Sequence, residues 1–262
     1  MPKPVVPQND HGEVCYEWLV YFAQIAYTKP QPGRSWIHAV TEAVREEMLG
    51  FSVVAAYDHK GTQAFVARDD RNGDLIVSFR GTDGIADTWT DINGCRKPGP
   101  LGPVHWGADD ALDYVWLALL DTIHFYRSDD SQALYITGHS LGGMKADIFT
   151  ARLVDEGIDV TATVTYGSPA AGGPVFSRVM NRLQKGRLFR VVRCADKVPR
   201  LWTQKLMLYR HIGQLIYIDS QGRVHEQIGF LPRIWDICKN LTNGIRHHSK
   251  DGYVDALEEN AE

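Results

Sequence analysis

Apolar positions in the first fifty residues recur at helical spacing. Residues 12–27 and 35–49 each gather them on one face, and the run Lys29-Pro30-Gln31-Pro32-Gly33 breaks the chain between the two helices. The rhythm then shortens to apolar, β-branched runs at 51–57, 63–68 and 74–79. Their turns are marked by Lys60-Gly61 and Asn72-Gly73, which predicts three strands. A single helix is expected over about 107–127, because Leu112, Val115, Trp116, Leu119 and Leu120 make one stripe. From residue 133 strands and helices alternate: strand 133–137, helix 141–156 stopped by Gly157, strand 160–166, a helix near 173–184 and strand 187–192. Such alternation implies parallel βαβ units covered on both faces. Residues 206–219, a Ser-Gln-Gly turn and RVHEQI predict a late hairpin, and 248–258 a terminal helix. The expected fold class is therefore α/β, a mostly parallel central sheet with helices on both faces. No repeat, linker or low-complexity tract divides residues 1–262, so one domain is expected.

Composition sets limits on function. With 262 residues, 44% hydrophobic and 23% charged, the chain can build a core without staples. A net charge of −4 does not draw nucleic acid, and no GxGxxG or P-loop follows a strand. Cys15, Cys95, Cys194 and Cys238 lack the spacing of a zinc site, and free thiols are the expectation. No metal or organic cofactor is implied. The N-terminus carries no Sec-type signal, and the apolar stretch 18–26 is too short to span a bilayer. A soluble chain is expected, cytoplasmic or exported by another route.

The sharpest chemical signal is Gly138-His139-Ser140-Leu141-Gly142, set where an apolar strand turns into a helix. A bare GxSxG arises by chance on the order of once in ten such chains, but rarely in that context. The sharp turn exposes a serine hydroxyl, and side chains at the flanking glycines would collide with backbone. The helix N-terminus aims free N–H groups at an oxyanion developing nearby. Leu141, the residue after the serine, is expected to supply one such donor. The second should come from a loop after an earlier strand, and Arg80-Gly81-Thr82 ends strand 74–79 with a hydroxyl residue. Thr82 reads equally well as a helix N-cap.

Asp196 stands directly after strand 187–192, where a carboxylate in an open α/β sheet lies on the ligand side. Asp147, inside a helix, and Asp219, before a hairpin turn, fit the role of acid less well. The basic partner is one of two neighbours, His247 or His248. His139 and His105 read as structural. Chain order Ser, acid, His is that of a hydrolase triad.

FRGT followed by Trp89 and Asp91, then VHWG at 104–107, GHSLGG, TYGSP and ADKVPR together resemble the class 3 lipase family, over roughly residues 50–255 in the family's order. The resemblance implies an α/β-hydrolase fold and a Ser140, Asp196, His248 triad acting on carboxylic esters of lipids. It implies His248 rather than His247, because the family's histidine is commonly followed five places later by tyrosine, here Tyr253. It also implies a lid over 83–96, where Ile85, Trp89 and Ile92 fall on one helical face. The other reading of that segment is a surface helix packed on the core. An amphipathic lid points to an ester at a lipid interface. Acylglycerols are the first expectation. Phospholipase A1, other esterases, a delivered lipase toxin and an inactive binding module are the alternatives, and oligomeric state is left open.

Overall fold

The computed structural model describes residues 16–82, 95–127, 131–200, 209–240 and 248–258. Two helices lead, α1 (Tyr16–Ile25) and α2 (Trp36–Glu47), the second capped by the Ser35 side chain accepting from the His38 amide. Strands β1 (Phe51–His59), β2 (Thr62–Asp69) and β3 (Leu75–Phe79) follow, then the short pair β4 (Arg96–Lys97) and β5 (Val104–His105). Helices α3 (Trp106–Asp113) and α4 (Trp116–Tyr126) precede β6 (Leu134–His139), α5 (Leu141–Asp155), β7 (Ala162–Tyr166), α6 (Pro174–Leu183) and β8 (Leu188–Arg193). A 3-10 turn at Val198–Arg200, β9 (Gln214–Ile218), β10 (Val224–His225), α7 (Phe230–Lys239) and α8 (Lys250–Glu258) complete it.

Among the described residues eight strands form one sheet in the order β1-β2-β3-β6-β7-β8-β9-β10. Antiparallel pairing joins β1 to β2, β2 to β3 and β9 to β10, and the strands from β3 to β9 are parallel. The period of two in the strands explains the two cores. Phe65, Ile76 and Tyr135 point to the side covered by α1, α2 and α8, where they meet Trp18, Phe22, Val40 and Tyr253. Val66, Val77 and Ile136 point to the other side, against Leu112, Leu119, Phe149 and Phe176. Each such side chain contributes about 1.5–3 kcal/mol by leaving water, so both faces hold the sheet against its helices.

Two elements differ from the sequence expectation. Residues 107–127 form two helices, not one. The break comes at Tyr114 and Val115, where the Val115 amide closes a tighter turn on Leu112 O and Val115 adopts φ −124°, ψ −4°. The halves are anchored to different elements. Arg152 on α5 pairs with Asp109 and Asp113 of α3, whereas the Tyr57 hydroxyl of β1 bonds Ala118 O and Thr122 Oγ1 of α4. Helix α7 has no counterpart in the sequence expectation, and it contains Pro232. The proline lies in the first turn, where an amide has no helical partner to lose. Among the described residues no helix is long and apolar enough to cross a membrane.

Candidate active site

Ser140 is the single residue between β6 and α5. Its φ is +60° and ψ −128°, and among the described non-glycine residues only Lys60 shares a positive φ. An L-residue there is strained by about 1–3 kcal/mol, and neighbours must enforce it. The Ser140 amide donates to Tyr166 O at 2.9 Å, and Ser140 O accepts from Met144 N at 3.2 Å. The glycines allow the close approach. A Cβ on Gly138 would lie 2.5 Å from the Gly142 carbonyl, and one on Gly142 would lie 2.2 Å from Phe79 O. The Ser140 Oγ is buried and without a hydrogen-bond partner among the described residues.

Leu141 opens α5, so its amide is among the first-turn donors that an α-helix leaves unbonded. The loop after β3 runs beside this turn: a Cβ on Gly81 would lie 2.6 Å from His139 O and 3.3 Å from Gly142 N. Thr82 is the next residue and is half-buried. It does not cap a described helix.

Asp196 is fully buried just past β8, and its carboxylate is saturated with donors. The Val198 amide reaches Oδ1 at 2.9 Å, the Tyr253 hydroxyl reaches Oδ2 at 2.6 Å, and His248 Nδ1 lies 3.0 and 2.8 Å from the two oxygens. Because a carboxylate only accepts, Nδ1 carries the proton and Nε2 is left as the bare base. That Nε2 is buried and makes no hydrogen bond among the described residues. Gly167, at φ +57°, makes room for the pair: a Cβ there would meet Asp196 Oδ2 at 2.8 Å and His248 Nδ1 at 3.1 Å. Burial and the Asp196 charge hold the Tyr253 hydroxyl well above its ordinary pKa, so it stays a donor.

His139 ties these parts together. Its Nε2 bonds the His248 carbonyl at 2.9 Å, and its Nδ1 bonds the Tyr27 hydroxyl at 3.0 Å. The carbonyl can only accept, so Nε2 carries the proton and Nδ1 accepts from Tyr27. Burial, then the neighbouring His248 charge, pushes the His139 pKa well below its ordinary value, keeping the ring neutral. The imidazoles of His139 and His248 pack against each other, tilted by 33° with centroids 4.7 Å apart.

Of the residues singled out from sequence, Ser140 and Leu141 therefore form the β6–α5 turn, the loop carrying Thr82 runs beside it, and Asp196 and His248 are bonded to each other next to His139. His247, Ile85, Trp89 and Ile92 lie outside the described residues. Sequence reasoning marked His139 only as structural and missed Tyr27 altogether. No spacing rule links a tyrosine to a histidine 112 positions later. Among the described residues no group of three His, Cys, Asp or Glu side chains could hold a metal ion.

A family model described as "Lipase (class 3)" matches residues 76–206. A triacylglycerol lipase of Arabidopsis thaliana is 28% identical, aligned over 71% of this chain and 48% of its own. A secreted mono- and diacylglycerol lipase of Fusarium solani is 30% identical over 61% of this chain and 48% of its own. The chain thus spans about half the length of the curated relatives it matches. Among solved structures, a lipase from Yarrowia lipolytica superposes with a TM-score of 0.72 at 20% identity, covering 91% of this chain and 92% of that one. That likeness makes the fold an α/β-hydrolase.

Proposed function

The chain belongs to the class 3 lipase family, and on that premise we propose that it hydrolyses carboxylic esters of lipids, acylglycerols first among them, with Ser140 as nucleophile. The observation that carries this reading is the pair of buried, unbonded atoms, Ser140 Oγ on its strained turn and His248 Nε2 backed by Asp196. Leaving either atom buried without a bond costs about 1–3 kcal/mol. Such a cost makes sense where an incoming substrate supplies the missing contact.

His248 Nε2 takes the hydroxyl proton as Oγ attacks the ester carbonyl. Asp196 keeps the proton on Nδ1 and stabilises the imidazolium that forms. The tetrahedral oxyanion takes hydrogen bonds from the amides of Leu141 and Thr82, with the Thr82 hydroxyl as a third donor. His248 then protonates the departing alkoxide, and water, deprotonated by the same Nε2, releases the acid from Ser140. Residues 83–96, with Ile85, Trp89 and Ile92, serve as the lid that meets acyl chains.

Fluorophosphonate labelling with peptide mapping, followed by a chain-length series of esters, tests the reading. The label should sit on Ser140, and Ser140→Ala should abolish it and cost ~10⁴–10⁶-fold in turnover. Label on another serine, or turnover of the variant within tenfold of the parent, would end the assignment.

A further inference from the structure

A cavity of about 230 Å³ is framed by Arg190 of β8, Arg200 of the 3-10 turn, His211 and Arg233 of α7. Leu215 and Ile234 supply an apolar wall. Three guanidinium groups around one small space repel each other. Arg190 is the most exacting of the three. Its Nε is buried and has no hydrogen-bond partner among the described residues. Among the described residues no carboxylate forms an ion pair with Arg190. Burial, then the Arg233 charge, pulls the Arg190 pKa down to about 10, and burial with both arginine charges pushes His211 down to about 3. Neither Asp147 nor Asp236 is among the residues that line the cavity. Burial drives the Asp147 pKa well above its ordinary value, with the Arg190 charge opposing. Asp236 is engaged by the Tyr217 hydroxyl at 2.9 Å and the Ser220 amide at 3.1 Å. Arg200 is partly committed to main chain, donating through Nη1 to Asp196 O at 2.7 Å and also to Cys194 O.

We propose that this cavity is an anion site for a phosphate-class oxyanion, held between the Arg190, Arg200 and Arg233 guanidinium groups. Planar guanidinium forks match the edges of a tetrahedral oxyanion and form charge-assisted bonds with it. The volume suits one such group with a few waters. The same chemistry has two sources, free phosphate or the headgroup of an anionic lipid. The second is worth a separate arm because α7 exposes Leu231 and Trp235 beside the cavity. The site does not depend on the Ser140 assignment, and its test needs no turnover.

Binding of radiolabelled inorganic phosphate is measured by equilibrium dialysis at constant ionic strength, with chloride as the balancing anion. Co-sedimentation with phosphatidylcholine vesicles, with and without phosphatidic acid, forms the second arm. The parent should bind one phosphate per chain saturably, or bind only the vesicles that contain phosphatidic acid. The first outcome identifies a free oxyanion, the second a headgroup. In either arm Arg190→Gln and Arg233→Gln should each weaken binding about tenfold or more. Arg233→Gln, on the outer helix, keeps the test open if the Arg190 variant fails to fold. Binding unchanged in Arg233→Gln, or no saturable binding in either arm, overturns the proposal.

Discussion

Replacing His139 by phenylalanine isolates the contact that ties Tyr27, the β6–α5 turn and His248 together. The ring and its packing survive, while two hydrogen bonds are lost. The Tyr27 hydroxyl has a fallback, because the carbonyl of residue 139 lies 3.3 Å away. The His248 carbonyl loses the His139 donor and is left buried, a penalty of about 1–3 kcal/mol. For a protein of this size each kcal/mol moves the melting midpoint by roughly 2–4 °C, so a fall of about 2–12 °C is expected. The kinetic effect should be larger than the stability effect implies. With its backbone unpinned, the His248 imidazole shifts relative to Ser140, and a displacement of about 1 Å can cost on the order of 10²-fold. On a soluble short-chain ester, kcat should fall about 10–10²-fold with KM nearly unchanged. His139→Gln, whose amide can donate to the same carbonyl, should recover most of the loss. If His139→Phe keeps kcat within about twofold of the parent while the midpoint falls, the contact serves stability only, and the positioning argument fails.

Thr82→Val keeps the backbone amide and deletes the hydroxyl. Should that hydroxyl hold the oxyanion, kcat drops by up to ~10²–10³-fold at constant KM; an unchanged kcat leaves the hole to backbone donors. Gly142→Ala puts a methyl 2.2 Å from Phe79 O and 2.9 Å from Gly81 N, forcing β3 away from the start of α5. Overpacking of this kind costs about 1–3 kcal/mol or more, and here it should also remove activity because the Thr82 loop moves; a fully active, equally stable variant would contradict the geometry. For pH, the buried neutral His139 and His211 have folded pKa values below that of free histidine, His211 near 3. The unfolded chain therefore binds more protons below about pH 6.5, and stability is lost as pH falls from there. Each histidine contributes up to ~1.4 kcal/mol per pH unit, and Asp147, raised by burial, opposes with a similar slope above about pH 4. The net expectation is a decline in stability as pH falls below about 6.5, read from thermal melts. A midpoint that rises over that range would show these histidines to be charged in the fold.

What could be read from the chain divides along the range of the interaction involved. The β6–α5 turn was legible because its determinants are consecutive: an apolar strand, two glycines with no room for Cβ, and a helix. Asp196 was legible for a related reason, since the end of a parallel strand already fixes which side of the sheet a residue serves. His248 needed the family's spacing to Tyr253, and the geometry supplies a physical reason for it. Five residues place Tyr253 on the first turn of α8, where its hydroxyl reaches the same Asp196 carboxylate that His248 holds. The spacing is thus the length of chain needed to bring two donors to one acceptor. Features set by distant pairs left no local trace. The break between α3 and α4 follows from Arg152 and Tyr57 pulling on different halves. Neither anchor lies in the broken segment, so its unbroken apolar stripe reads as one helix. The same holds for Tyr27 with His139, and for the arginines at 190, 200 and 233, which are ordinary surface-type residues in sequence. Only the crossing of β8, the turn after it and α7 turns them into a cluster. Groups that share one acceptor within a turn or two of chain leave a spacing behind. Groups that meet across the sheet leave only their cost, visible as an unbonded buried atom or a shifted pKa.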